Sequence, residues 1–332
     1  MVAATIRRQA ERLQPFDPFR HLQQVADLIG LAFAGDLGPG ARYILRRMQQ
    51  MARWGGLSLW LMGVDAGWNA PGFVWIEEGR VVGNISLRRA ARGGGWMIGN
   101  VAVHPDWRRQ GVAQALMDAA IDMAESRGGT WVGLEVRADN APAHQLYERM
   151  GFAVVAETLE LERPADLAWP LLATPSLSWR KARALDGAAL YRIAQEGLTS
   201  VQQESIEVRR SAYKTGLETR LVAWMEGCRE GQWVAEAEGS VVGGALVRSR
   251  RPARWHEVDV LVALSRLNDL GPRLVACVAG ELSRRPAWAV TTVLAGPREA
   301  LAPAWAAFGL RQVRRLLHMR LALGKPVRVL GE

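Results

Sequence analysis

WMIGNVAVHPDWRRQGVAQALMDAAIDMA, residues 96–124, is the segment that determines the architecture of this chain. It continues as ESRGGTWVGLEVRADN, residues 125–140, and as APAHQLYERMGF, residues 141–152. Segments rich in β-branched and aromatic residues alternate with segments whose apolar residues recur every three or four positions, and glycine or proline separates them. This order predicts a strand, a tight turn, a helix, a second strand and a second helix.

The tight turn is RRQGVA, residues 108–113. Its glycine, Gly111, permits a positive φ and a close approach of the backbone to a ligand. The helix that begins there carries unpaired N–H groups and the positive end of the helix dipole. The small side chain of Ala113 leaves that end accessible. The turn is therefore predicted to bind an anion, and a phosphate group in particular.

Length and residue types exclude several classes of protein. With 332 residues, the chain is expected to form two domains. Its two cysteines, Cys228 and Cys277, and its five histidines show no ligand or redox spacing, so neither a disulfide framework nor a metal cofactor is expected. The N-terminal sequence is not a signal peptide, and no apolar run approaches the roughly 18 residues of a membrane span. We expect a soluble cytoplasmic protein without membrane contact.

The net charge of +9 is unevenly distributed. Residues 1–165 carry 18 Arg, no Lys and 17 acidic residues, a net charge of +1, whereas residues 166–332 carry 24 basic and 16 acidic residues, a net charge of +8. A solvated basic surface accounts for this excess, and so would an acidic partner or a nucleic acid. The basic residues are dispersed rather than clustered, which disfavours nucleic-acid binding.

The second half of the chain repeats the first. EGRVVGNISLRR, which starts at Glu78, matches EGSVVGGALVRSR, which starts at Glu238, and later segments match at a similar offset of about 158–160 residues. One repeat at this distance indicates a duplicated domain rather than a solenoid. We expect one domain over residues 1–163, a proline-containing linker over 164–175 and a second domain over 176–332.

A second motif, N-x-x-A-x-x-L-Y-x-x-x-G-F, follows the turn and opens the second helix. In this motif and in the R-x-x-G-x-A turn, the chain resembles the GNAT superfamily of acyl-CoA-dependent N-acetyltransferases. The residues that carry the resemblance are Arg108, Gly111, Ala113, Asn140, Ala143, Leu146, Tyr147, Gly151 and Phe152. The resemblance implies an α/β (α+β) fold of two tandem GNAT-like domains. Each would have a mixed, mostly antiparallel twisted sheet flanked by helices, with a splayed parallel strand pair at the thioester site.

The resemblance also implies a site for acetyl-CoA as cosubstrate. The backbone amides from Arg109 to Gln114 would hold the pyrophosphate of coenzyme A. The strand ending at Val103 would pair with the pantetheine arm and offer an N–H group to the thioester oxygen. Asn140 would contact the pantetheine arm, and it is also suited to cap the second helix. The implied cofactor-binding residues are Val101, Ala102, Val103, Arg108, Arg109, Gln110, Gly111, Val112, Ala113, Gln114, Asn140, Ala143 and Tyr147.

Two residues are candidates for proton transfer. By the resemblance, Tyr147 would be the general acid that protonates the leaving thiolate, with packing against the second strand as the alternative. The acceptor amine must lose a proton before it attacks. The strand IGNVAV, residues 98–103, has no carboxylate, whereas the spacing of Glu135 and Tyr147 is similar to that in the ribosomal-protein N-terminal acetyltransferases, where such a glutamate is the base. Glu135 is therefore the predicted base. A salt bridge of Glu135 with Arg137 or another arginine, His104 as the base, and a water relay are the alternatives.

The second copy departs from this pattern. RLNDLGPRL, residues 266–274, replaces the RRQGVA turn, and Pro272 removes an N–H group where one is needed. Alignment puts Arg298 and Trp305 at the positions of the asparagine and the tyrosine, and tryptophan cannot act as a proton donor of this kind. The second domain is predicted to be degenerate. It would stabilise the first domain, shape its substrate cleft or mediate assembly, for which a homodimer is one form.

The leading hypothesis is an N-acetyltransferase that transfers an acetyl group from acetyl-CoA to a primary amine by direct attack. The acceptor is a small molecule or a peptide N-terminus, and no motif distinguishes the two. The tandem layout also resembles mycothiol synthase, but there the second copy is expected to carry the chemistry. The alternatives are a non-catalytic acyl-CoA-binding regulator and a nucleic-acid-associated protein.

Overall fold

The computed structural model describes residues 12–35, 38–53, 72–170, 177–214 and 227–324, together with residues 216, 223 and 225. Of the predicted linker, residues 171–175 lie outside these ranges. No helix within the described ranges combines the length and apolar character needed to cross a bilayer.

The chain divides into two compact units. Unit 1 consists of residues 1–135, 145–153 and 320–332, and unit 2 consists of residues 136–144 and 154–319. The elements of the first half are β1 (Leu13–Pro15), α1 (Pro18–Ala32), α2 (Pro39–Arg53), β2 (Gly72–Glu77), β3 (Arg80–Arg89), β4 (Trp96–Val103), α3 (Val112–Ser126), β5 (Trp131–Arg137), α4 (Ala141–Arg149) and β6 (Ala153–Arg163). Those of the second half are β7 (Trp179–Lys181), α5 (Asp186–Gln195), α6 (Ser200–Ser205), β8 (Cys228–Ala237), β9 (Ser240–Arg250), β10 (Trp255–Val262), α7 (Leu267–Ser283), β11 (Ala289–Ala295), α8 (Ala302–Ala306) and β12 (Arg311–Ala322).

The sheet of unit 1 has the strand order β1-β2-β3-β4-β5. Its pairings are antiparallel except for β4 and β5, which are parallel. Helix α1 begins at an N-cap, Asp17, whose Oδ1 accepts a hydrogen bond from the Phe19 amide at 2.9 Å. Its apolar face, with Val25 and Ile29, packs on a cluster that includes Val74 of β2. Burial of this face holds the helix against the sheet.

The parallel pair of unit 1 is short. β4 and β5 are paired only from Trp96 opposite Val132 to Ile98 opposite Leu134. Beyond these residues the two strands separate, so the main chain of β4 after Ile98 has no paired neighbour on the β5 side. Unpaired backbone donors and acceptors therefore line the opening between the strands.

The sheet of unit 2 has the order β6-β11-β10-β9-β8-β7, with β12 next to β6. From β6 to β7, the pairing is antiparallel except between β10 and β11. The core of this unit includes Val258, Leu274 and Trp305. The predicted fold class, a mixed α/β fold with mostly antiparallel sheets flanked by helices, is confirmed.

The compact units do not coincide with the sequence copies 1–163 and 176–332. Strand β6 ends the first copy, yet it pairs with β11 from Thr158 opposite Ala295 to Arg163 opposite Val290, inside unit 2. Residues 320–324, at the end of the second copy, belong to unit 1, where the Leu323 amide donates to the Thr130 carbonyl at 2.9 Å. Each unit thus includes a segment from the other copy.

The contribution of β6 to unit 2 can be tested with Leu161→Ala. Leu161 is 3% exposed and packs in the unit 2 core. Truncation of a buried leucine leaves a cavity, so we expect the free energy of unfolding to fall by about 2–5 kcal/mol in urea titrations. The control is Val154→Ala on the same strand, where the side chain is 43% exposed and the loss should stay within about 0.5 kcal/mol. Equal losses in the two variants would contradict the assignment of β6 to this core.

Candidate functional site

Strand β4 contains a β-bulge. β3 and β4 pair in regular register from Arg89 opposite Trp96 to Ser86 opposite Gly99, and pairing resumes at Asn84 opposite Ala102. Two residues, Asn100 and Val101, therefore oppose the single Ile85. Asn100 has a φ of 52°, which asparagine tolerates better than most residues. The bulge bends β4 where it separates from β5.

The RRQGVA turn follows β4 and a short 3₁₀ helix, Pro105–Trp107. Gly111 has a φ of 81° and is the N-cap of α3, without a side-chain hydrogen bond at that cap. A Cβ built on Gly111 meets nothing within 4 Å. Residues 108–111 are exposed, so the free N–H groups of the first turn of α3 face open space. This end of unit 1 has the geometry of an anion site.

The side chains of the turn residues that are predicted to bind the cofactor make different contacts. The Arg108 Nε donates to the Val103 carbonyl at 3.3 Å, so this side chain folds back along the end of β4. The Gln110 Nε2 donates to the Asp106 carbonyl at 2.9 Å. Val112 is 3% exposed and anchors α3 in the core, whereas Gln114 is exposed. The turn is therefore held by its own side chains, and its backbone amides remain accessible.

Asn140 caps helix α4. Its Oδ1 accepts a hydrogen bond from the Ala143 amide at 3.3 Å, which is the capping role that the sequence suggests. Asn140 and Ala143 lie in the part of the chain that belongs to unit 2, and Tyr147 lies in unit 1. The three residues are joined through one continuous helix.

Tyr147 is buried on α4. Its side chain is 6% exposed, and its ring lies 6.1 Å from the Phe152 ring. Burial disfavours the phenolate and raises the pKa of Tyr147 to about 12. The hydroxyl is therefore protonated at neutral pH and is able to donate a proton. Packing of Tyr147 against the second strand, the predicted alternative, stays a prediction.

Glu135 is exposed on β5, while its strand neighbours Leu134 and Val136 are buried. It follows Leu134, the last β5 residue paired with β4. The carboxylate thus belongs to the point where the two strands part. Arg137, one of its predicted partners, forms an ion pair with Asp139, with an Nε to Oδ1 distance of 2.8 Å.

The other predicted base, His104, lies at the end of β4. Its Nδ1 accepts from the Asp106 amide at 3.4 Å, and its backbone amide donates to the Val82 carbonyl at 2.8 Å. The His104 side chain is therefore the N-cap of the short 3₁₀ helix.

Sequence reasoning missed the residues around the bulge. Asn84, Ser86 and Asn100 hydrogen-bond to one another and to the β4 backbone. The only sequence signal is that two polar residues, Asn84 and Ser86, interrupt the apolar run VVGNISL. Which residues they oppose on β4 depends on the register, which the local pattern does not give.

The described residues of unit 2 have a different geometry at the corresponding place. β10 pairs with β9 without interruption from Trp255 to Val262. A 3₁₀ turn, Leu264–Arg266, leads directly into α7, which contains Pro272. In the first turn of α7 an acidic side chain, Asp269, pairs with the Arg266 Nε at 3.0 Å. An acidic side chain occupies the helix end that would have to attract a phosphate.

In unit 2, the two residues that replace the asparagine and the tyrosine are both buried. Trp305 is fully buried in the unit 2 core. Arg298 is 8% exposed, and its Nη1 donates to the Ala194 carbonyl at 3.1 Å.

Comparison with known proteins gives matches in the first half of the chain. Residues 43–152 match the sequence profile described as the Acetyltransferase (GNAT) family. A segment of 53 residues is 53% identical to the [ribosomal protein bS18]-alanine N-acetyltransferase of Escherichia coli K12, over 16% of this chain and 36% of that protein. The chain thus spans about a third of the length of the curated relative it matches.

Two solved structures share the fold over almost the whole chain. A GCN5-related N-acetyltransferase from Sphaerobacter thermophilus superposes with a TM-score of 0.66 at 18% identity, over 96% of this chain and 98% of that one. A tandem GNAT protein from the clavulanic acid biosynthesis pathway gives a TM-score of 0.62 at 18% identity, over 95% and 99% of the two chains. At this level of identity the likeness establishes the fold.

Proposed function

We propose that the chain transfers an acetyl group from acetyl-CoA to a primary amine, because residues 43–152 match the profile of the GNAT acetyltransferase family. One observation carries the proposal for unit 1. An open glycine turn follows a bulged strand and a short 3₁₀ helix, and the pairing of that strand with its parallel neighbour ends before the bulge. Such a strand offers backbone partners to an extended ligand, and the turn offers donors to its phosphates.

The residues proposed to bind coenzyme A include backbone amides, a strand and a helix start. The backbone amides from Arg109 to Gln114 would bind the pyrophosphate, because Gly111 presents no side chain and the space above it is open. The main chain from Val101 to Val103 would pair with the pantetheine arm, in the manner of strand addition. Asn140 and Ala143, at the start of α4, are proposed to contact the same arm.

Two side chains are proposed to move protons. The amine nitrogen attacks the thioester carbonyl, forming a C–N bond as the C–S bond breaks. Glu135 would accept the proton that the ammonium loses, which its exposure at the end of the β4–β5 pairing supports. Tyr147, protonated at neutral pH, would give a proton to the departing sulfur.

The acceptor is proposed to be a peptide N-terminus or a small amine. The segment shared with a bacterial ribosomal-protein alanine N-acetyltransferase favours the peptide. Unit 2 is proposed to be a degenerate domain without its own coenzyme site. Asp269 at the start of α7 and the buried Trp305 support that role. A cytoplasmic location stays a prediction from the sequence.

Thiol release measured over a panel of acceptors tests the function. The panel contains small amines and short peptides with free N-termini, and each is run with its N-acetylated form as the control. We expect coenzyme A to be released only with free amines. Glu135→Gln, run in parallel, should lower the rate about 100-fold at neutral pH and less at high pH, where amines are already deprotonated. Binding of acetyl-CoA without release for any amine would favour the non-catalytic regulator.

A further inference from the structure

Three polar side chains surround the β4 bulge. The Asn84 Nδ2 donates to the Asn100 carbonyl at 3.0 Å, and the Ser86 Oγ donates to the Gly99 carbonyl at 2.9 Å. The Asn100 Nδ2 donates to the Ser86 Oγ at 3.2 Å. We infer that Asn84, Ser86 and Asn100 are positioning residues that hold this bulge in the form that the acetyl-transfer site requires. The inference rests on the proposed function.

The bulge has backbone groups that the sheet itself does not satisfy. Where two residues oppose one, part of the ladder between the strands is disrupted. The side chains of Asn84 and Ser86 supply donors to two successive carbonyls of β4, Gly99 and Asn100. Asn84 is 3% exposed, so its amide would be costly to bury without this partner. The same contacts satisfy the side chain and secure the bulge.

The second copy of the domain is an internal control. In the paired strands of unit 2, Gly244 and Leu246 stand at the positions of Asn84 and Ser86. A single residue, Val260, opposes Ala245, whereas two residues oppose Ile85 in unit 1. The polar side chains and the bulge are therefore absent together from unit 2.

In its described strands, unit 2 lacks the counterpart of the β3–β4 bulge, but it has the counterpart of another irregularity of unit 1. Another register shift, on the β2–β3 side of the sheet, occurs between Trp75 and Ile76 in unit 1 and between Ala235 and Glu236 in unit 2. These positions correspond in the two copies, so the duplicated domains have kept that irregularity. Only the bulge beside the proposed thioester site has disappeared, in the copy that has also lost the glycine turn.

The position of the bulge explains why its shape matters. It begins two residues after Ile98, the last β4 residue paired with β5. An amide that is turned out of the ladder at this point is available to the oxygen of a bound thioester. Catalysis by such a donor depends on its direction, because the negative charge develops at one position only. A slip of β4 by one residue would move this donor away.

The kinetic test compares two substitutions at one position. Asn100→Val should lower kcat about 100-fold, because a β-branched residue opposes the positive φ and the side-chain amide is lost. The KM for acetyl-CoA should change less than about threefold, since the turn at Gly111 is untouched. Glycine accepts the positive φ, so the kcat of Asn100→Gly should be at least about tenfold higher than that of Asn100→Val. Equal kcat values for Asn100→Val and the wild type would overturn the inference.

A structural readout separates this inference from the proposed function. Asn84→Gly combined with Ser86→Leu introduces the residues found in unit 2, and Arg80→Ala on the same strand is the control. A crystal structure of the double variant should show the bulge displaced or β4 shifted by one residue. A bulge that stays at Asn100 would overturn the inference, whatever the activity. If the bulge moves but the wild-type protein acetylates no amine, the three side chains hold the bulge and the proposed function fails. If the double variant does not fold, a crystal structure of Asn100→Val answers the same question.

Discussion

A Tyr147→Phe variant is expected to lose about 100- to 10,000-fold in kcat while it binds acetyl-CoA as the wild type does. The substitution removes one oxygen from a side chain that is 6% exposed, and it keeps the ring that packs near Phe152. Stability should therefore change little. What is lost is a hydroxyl whose pKa of about 12 keeps it protonated at neutral pH. Steady-state kinetics and calorimetric titration with acetyl-CoA measure the two quantities separately.

Tyr213→Phe is the matched control for that variant. Tyr213 is also 6% exposed, but it belongs to unit 2, where its hydroxyl donates to Asp259 at 3.4 Å. Its loss should leave turnover near the wild-type value. If Tyr147→Phe and Tyr213→Phe both kept full turnover, Tyr147 would have only the packing role that its sequence position also allows.

The local elements around the site were predictable from the sequence. The strand, turn, helix, strand and helix expected over residues 96–152 correspond to β4, the Gly111 turn, α3, β5 and α4. Each of these depends on a pattern within about fifteen residues, such as apolar spacing, a glycine or an asparagine cap. The fold class followed from the resemblance to the GNAT superfamily rather than from these local patterns.

The assignment of β6 to unit 2 was not predictable in the same way. Residue patterns report which face of a strand is buried, but they do not report which neighbour it pairs with. The assignment of Leu161 to the unit 2 core depends on contacts with residues such as Leu294, far away in the sequence.

The bulge was missed for a related reason. The bulge combines a positive φ at Asn100 with two residues of β4 opposite one residue of β3. It depends on how the two strands pair, so the residue pattern along one strand does not predict it. Because IGNVAV contains no carboxylate, the sequence predicted Glu135 as the base and gave no role to this strand's bulge. The polar residues on β3 became meaningful only when the register placed Ser86 opposite Gly99.

Gly111→Trp is expected to abolish the thermal stabilisation that acetyl-CoA gives to the protein. A ligand at about 100 times its Kd stabilises the folded state by about 2.7 kcal/mol, which is readily detected as a shift in Tm. A Cβ at position 111 meets no protein atom within 4 Å, so the indole would project into the space that the pyrophosphate needs. The cost to the fold is the strain of a non-glycine residue at a φ of 81°, about 1–2 kcal/mol.

Gly79→Trp separates that strain from ligand exclusion. Gly79 lies in the hairpin between β2 and β3, has a φ of 78°, and also has nothing within 4 Å of a built Cβ. The two variants therefore carry the same backbone strain and the same exposed indole, and both should unfold at a similarly reduced Tm in the absence of ligand. Acetyl-CoA should raise the Tm of Gly79→Trp as it does that of the wild type, and should leave Gly111→Trp unchanged. Equal protection of the two variants would remove the turn at Gly111 from the coenzyme site, because a pyrophosphate bound to the amides of α3 cannot share that space with an indole.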